Sequence, residues 1–148
     1  MEIYELARVV PPVATAIGVA IAAWQIWRNA EQIKTSFEDS LNKEYRELMR
    51  PIPLKALIGE IVTDEESEAA KEAIYNYLDF CNQQVFLRKQ KRIRKSTWSE
   101  WQAGMKINLG LPLFAEVSEN VFEKLPSIFN ELKMVQESNF KTDPAEWR

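Results

Sequence analysis

The chain has 148 residues, no histidine, one cysteine and a formal net charge of −3. The missing histidine excludes Ser-His-Asp and Cys-His catalysis and histidine metal sites, and the lone Cys81 excludes an internal disulfide, a CxxC redox pair and a cysteine-rich zinc site. Four scattered glycines (Gly18, Gly59, Gly104, Gly110) build no phosphate-cradling loop, so no cofactor is implied, and the acidic balance argues against a general nucleic-acid binder.

Val9 to Trp27 (VVPPVATAIGVAIAAWQIW) carries no charge in a chain that is 28% charged. As a helix this stretch spans roughly 28 Å, close to the hydrocarbon thickness of a bilayer. Tyr4 precedes one edge and Trp24 and Trp27 mark the other, as interfacial anchors do. Pro11 and Pro12 cost little if they occupy the first turn, where amide donors are unpaired anyway. A cleaved signal peptide competes, because Ala20-Ile21-Ala22 fits the small-x-small pattern, but the start MEIYELAR lacks a basic n-region. A buried core helix is the other alternative. The reading taken is a single transmembrane anchor over residues 1–28.

Only Arg8 precedes the span, whereas Arg28, Lys34, Lys43 and Arg46 follow it. The positive-inside bias then places the N-terminus outside and the rest of the chain in the cytoplasm. A free cysteine agrees with a reducing compartment. Ala14, Gly18 and Ala22 form a small-residue stripe at i, i+4, i+8 that suits packing between membrane helices and self-association, although alanine-rich spans produce such triplets by chance.

Residues 29–138 read as a cytoplasmic bundle of about five helices, and 139–148 as a polar, frayed tail. The anchor continues as one helix through Ile33, Phe37, Leu41 and Leu48 until Pro51 and Pro53 stop it. Residues 54–62 (LKALIGEIV) predict a short helix. Thr63 followed by Asp64, Glu65 and Glu66 marks the start of a longer one, with Ala70, Ile74, Tyr77, Leu78, Cys81, Val85 and Phe86 on its apolar face. Thr97 and Glu100 have capping-box spacing and open a helix ending at Gly110. Residues 113–124 give another, with Phe114, Val117 and Val121 inward. A last helix covers about 127–137 through Ile128, Leu132 and Val135. Nothing alternates at period two, so the fold class is all-α.

Residues 51–87 carry two basic and seven acidic side chains, then Arg88, Lys89, Lys91, Arg92, Arg94 and Lys95 fall within eight positions. This run reads either as a solvated helix end favoured by the helix dipole or as a patch facing anionic lipid; nucleic-acid phosphate is the weakest alternative. Trp98 and Trp101, at i, i+3, share a helix face and suit core packing, with a ligand groove or membrane interface as alternatives.

Tyr77 to Phe114 (YLDFCNQQVFLRKQKRIRKSTWSEWQAGMKINLGLPLF) resembles a bacterial pattern of the type Y-x-D-x-C-N-x-Q-V-F-L-R, then T-W-x-x-W-x-x-G-[IM]-x-x-N-L, then P-x-F. The pattern belongs to uncharacterised bacterial proteins, catalogued as a domain of unknown function, that join one N-terminal membrane helix to a small helical cytoplasmic domain. The resemblance covers about a quarter of the chain and implies an inner-membrane, single-pass protein but no activity. Its matched polar residues are Asp79, Asn82, Gln84, Arg88, Trp98, Trp101 and Asn108. Asp79, Asn82, Arg88 and Asn108 form a candidate polar cluster, buttressing a turn or binding a small ligand. Where the family carries a glycine turn, Lys91 to Ser96 is basic here, so the resemblance assigns the basic run no role.

These features point to a non-enzymatic, membrane-anchored interaction or scaffold module that meets lipid and either a protein partner or its own copies. The alternative is a membrane-disrupting effector or sensor of a bacterial defence or signalling system. An enzyme built on carboxylates such as Glu60, Asp64 or Asp79 finds no recognisable acid/base pair in the sequence.

Overall fold

A computed structural model of the chain describes the backbone of residues 2–147 and the side chains of residues 15–147. Its helices are α1 (Glu2–Met49), α2 (Leu54–Leu57), α3 (Asp64–Lys89), α4 (Lys95–Leu109), α5 (Pro112–Lys124) and α6 (Asn130–Glu137), followed by a 3-10 turn at Pro144–Glu146. No strand occurs among the described residues, in keeping with the all-α reading. The chain divides into two units, Met1–Phe37 and Glu38–Arg148.

The first unit is helical throughout its described backbone. The helix begins at Glu2, so Pro11 and Pro12 lie inside it rather than in its first turn, a correction to the sequence reading. Every described side chain from Thr15 to Ala30 is exposed, including Ile17, Val19, Ile21, Trp24, Ile26 and Trp27. Arg28 lies over the Trp24 ring at 5.2 Å. Gly18 and Ala22 of the small-residue stripe are exposed, while Ala14 falls outside the described side chains. Among the described residues no helix is long and apolar enough to cross a membrane. The side chains of 9–14, the first part of the charge-free stretch, lie outside that description.

The second unit is built around α3. Thr63 caps it with a reciprocal box: Glu66 N–H donates to Thr63 Oγ1 at 3.2 Å, and Thr63 N–H donates to Glu66 Oε2 at 2.9 Å. Ala70, Ile74, Tyr77, Leu78, Cys81 and Val85 are buried as their spacing predicts, but Phe86 is half exposed. Around α3 pack α5, α6 and the 3-10 turn, and α4 packs on α5. Phe114 stands edge-on to Tyr77 with ring centroids 5.6 Å apart, and Phe129 is edge-on to Tyr75 at 5.9 Å. Such edge-on pairs stabilise beyond what the area they bury contributes.

Helix ends account for most boundary corrections. The 54–62 helix stops at Leu57 because Gly59 adopts φ +78, letting Glu60 N–H donate back to Lys55 O at 2.8 Å. The Thr97–Glu100 capping box does not form. Helix α4 starts at Lys95 without a cap of its own, and the Thr97 hydroxyl donates instead to Glu38 Oε2 at 2.8 Å. Gly110 closes α4 with φ −83, a right-handed value, and Pro112 opens α5 rather than merely ending α4. Val121 is half-buried on α5. The last helix begins at Asn130, so Phe129 takes the buried place expected of Ile128, which is exposed. The tail is not frayed: Pro144 is buried, Asp143 pairs with Arg88, and Trp147 Nε1 donates to Thr142 Oγ1 at 2.8 Å.

Candidate functional site

Three helices of the second unit leave a pocket of about 230 Å³ between them. From α1 come Asn42 and Tyr45, one turn apart. From α3 come Tyr77 and Gln84, two turns apart, with Cys81 between them on the same face. From α4 come Glu100, Trp101, Gly104, Met105 and Asn108, again two turns of one face. The helical period thus puts three rings, three carboxamides and one carboxylate around one space.

Hydrogen bonds fix most of the wall. Trp101 Nε1 donates to Asn42 Oδ1 at 3.0 Å. Asn108 Nδ2 donates to Tyr77 OH at 3.0 Å and to Tyr45 OH at 3.3 Å, while the two tyrosine rings lie 6.1 Å apart. Burial pushes the Tyr77 hydroxyl well above its usual range, so it stays a neutral donor. Burial likewise pushes the Cys81 thiol up to about 12, which removes it as a nucleophile at neutral pH. Gln84 differs from its neighbours: it is 5% exposed, lines the pocket, and its amide has no hydrogen-bond partner among the described residues.

The candidate polar cluster does not assemble. Asp79 is exposed. Asn82 turns to the start of α6, with Nδ2 donating to Ile128 O at 3.1 Å and Oδ1 accepting from Leu132 N–H at 3.0 Å. Arg88 turns to the tail, and only Asn108 reaches the pocket. Sequence reasoning matched Gln84 and Trp101 as residues of the pattern but did not place them here. Asn42 and Tyr45 were missed, because their role needs α1 laid beside α4. Trp98 and Trp101 part company: Trp98 is core, with an Nε1 that has no partner among the described residues, and Trp101 lines the pocket.

The basic run is split as well. Arg88 is buried, giving Nε to Asp143 Oδ1 at 2.7 Å, Nη2 to Asp143 Oδ2 at 2.6 Å and Nη1 to Ile93 O at 2.7 Å. Arg94 Nη1 donates to Glu38 Oε2 at 3.0 Å. Arg88 is thus withdrawn into the fold and Arg94 is half-buried, which leaves Lys89, Lys91, Arg92 and Lys95 as the exposed members of the six-residue run. Lys89 lies 3.5 Å from Glu131. No group of three acidic or cysteine side chains is arranged to hold a metal ion among the described residues.

Comparisons of the chain with family models, with curated proteins and with solved structures give no match.

Proposed function

We propose that this chain is a non-enzymatic interaction module, tethered to a bacterial inner membrane by the first part of α1, with its helical bundle on the cytoplasmic side. The observation that carries the proposal is the run of exposed side chains from Thr15 to Ala30. Ile17, Ile21 and Trp24 occupy one side of the helix and Val19 and Ile26 the opposite side, so no single partner face would cover them all. From Thr15 to Trp27 the helix carries no charged side chain and exposes apolar ones on opposite sides, which supports a surrounding apolar medium. The Arg28–Trp24 contact supports an interfacial position at the charged edge. Exposed Gly18, with nothing within 4 Å of a Cβ built on it, and Ala22 favour close approach of a second copy within the membrane. The Lys/Arg asymmetry supports the N-out, C-in orientation.

Fractionation of cells expressing the full chain tests this. The protein is expected in the membrane fraction, resistant to alkaline carbonate, and released by detergent. Recovery in the detergent-free supernatant would sink the tether.

A further inference from the structure

Two unusual features of the bundle lie at the same pocket. The Gln84 side chain is 5% exposed and lines the pocket, and its amide makes no hydrogen bond among the described residues, so it is left to whatever occupies that space. Gly104 sits inside α4, where glycine is conformationally unfavourable, although a Cβ there would meet nothing within 4 Å. No close packing requires a glycine at that position. Its effect is to leave open the space onto which the unpaired amide faces.

The chemistry of the wall narrows what would fill that space. No lysine or arginine lines it, and its one acidic side chain is Glu100, so a phosphate or carboxylate would enter without a counter-charge. Tyr45, Tyr77 and Trp101 offer ring surface for a flat molecule. The Gln84 carboxamide presents a donor and an acceptor side by side. That pair complements the exocyclic amine and adjacent ring nitrogen of an aminopurine or aminopyrimidine, as carboxamides do when they read adenine. Glu100 supplies a further acceptor for the amine. A volume of about 230 Å³ suits one or two fused rings and lies below the range of larger ligands.

We infer that the pocket between α1, α3 and α4 is a binding site for an uncharged or cationic amino-heterocycle of the nucleobase type, with Gln84 reading its amine-bearing edge. The source is a free base rather than a nucleotide, because the wall has no group for a phosphate.

Calorimetry and ligand-observed NMR on the detergent-solubilised full chain, with adenine, cytosine, hypoxanthine, adenosine and AMP, decide this. Adenine or cytosine is expected to bind saturably with a Kd below about 1 mM. Hypoxanthine, whose carbonyl replaces the amine, is expected to bind at least about tenfold more weakly, and AMP more weakly than adenosine. Gln84→Leu is expected to weaken adenine at least about tenfold. Gly104→Leu, which places a side chain in open space, is expected to abolish binding without lowering the thermal midpoint. Absence of saturable binding by both amino bases overturns the inference. So does AMP binding more tightly than adenine, or binding unchanged in both variants while circular dichroism shows them folded.

Discussion

Arg88 illustrates how a residue's surroundings reverse the meaning of its type. It belongs to the densest cationic stretch of the chain, yet its guanidinium is clamped by both oxygens of Asp143 and by Ile93 O. The partner lies 55 positions away, beyond any local pattern, so the sequence reads as a solvated helix end where the molecule has an internal latch. The Arg88 hydrogen bonds hold the Asp143 carboxyl below the usual carboxylate range, helped by the Ala145 N–H, and burial only partly offsets them. A carboxyl lowered in the folded state stabilises the fold above its unfolded pKa, about 3.9 for aspartate, and that stabilisation disappears as pH falls through the lowered folded value. Asp143→Asn should therefore cost about 2–3 kcal/mol at pH 7, discounted slightly for the partial exposure of the pair. It should also flatten the acid limb of stability below pH about 4. Urea titrations from pH 7 down to pH 2 check both, and an unchanged acid limb would show that the latch contributes nothing.

Helix ends separate what was legible from what was not. The start of α3 is local, since Thr63 and Glu66 are three residues apart, and the capping signature is visible in the sequence. The start of α4 is not. Its cap is Glu38 on α1, whose Oε1 accepts from Arg94 N–H at 2.8 Å while Oε2 takes the Arg94 guanidinium and the Thr97 hydroxyl. Helix α6 is capped in the same way, by Asn82 of α3. Local spacing assigned Thr97 to a box with Glu100 because nothing in the sequence reveals that α1 runs beside it. Glu38→Ala should cost about 2 kcal/mol, as loss of a charged acceptor and of a cap, and Glu38→Gln less. Thermal denaturation of the two variants checks that order. At the other end of α3, Lys91 holds φ 58 so that Arg92 N–H can return to Leu87 O at 3.0 Å. Gly59 and Asn139 serve the same purpose after α2 and α6 with residues suited to it. Lysine pays a steric penalty there, so Lys91→Gly should stabilise by roughly 0.5–1 kcal/mol. An unchanged or lowered urea midpoint in that variant would contradict the strain argument.

At the scale of the whole molecule, the distribution of buried residues sets the division of labour. Apolar periodicity identified most of the core of the second unit, because Ile74, Leu78, Val85, Phe114, Leu132 and Val135 each repeat at helical spacing. It did not identify the pocket or the tail latch, which depend on which helices become neighbours. Among the described side chains all the buried ones lie from Glu38 onward, and every one from Thr15 to Ala30 is exposed. Removing residues 1–30 therefore takes away none of the described buried side chains, while the retained turns from Glu31 keep the Glu38 cap away from a fraying end. The remaining chain is large enough to bury a single helical core unaided. A protein spanning 31–148 should be monomeric without detergent, unfold in one cooperative transition, and keep a thermal midpoint within about 4 °C of the full chain in detergent, since a larger shift would mean that about 1 kcal/mol of core had been lost. Analytical ultracentrifugation and calorimetry check this. Aggregation or a broad, non-cooperative transition of the shortened chain would show that the exposed helix supports the bundle, which the burial pattern does not provide for.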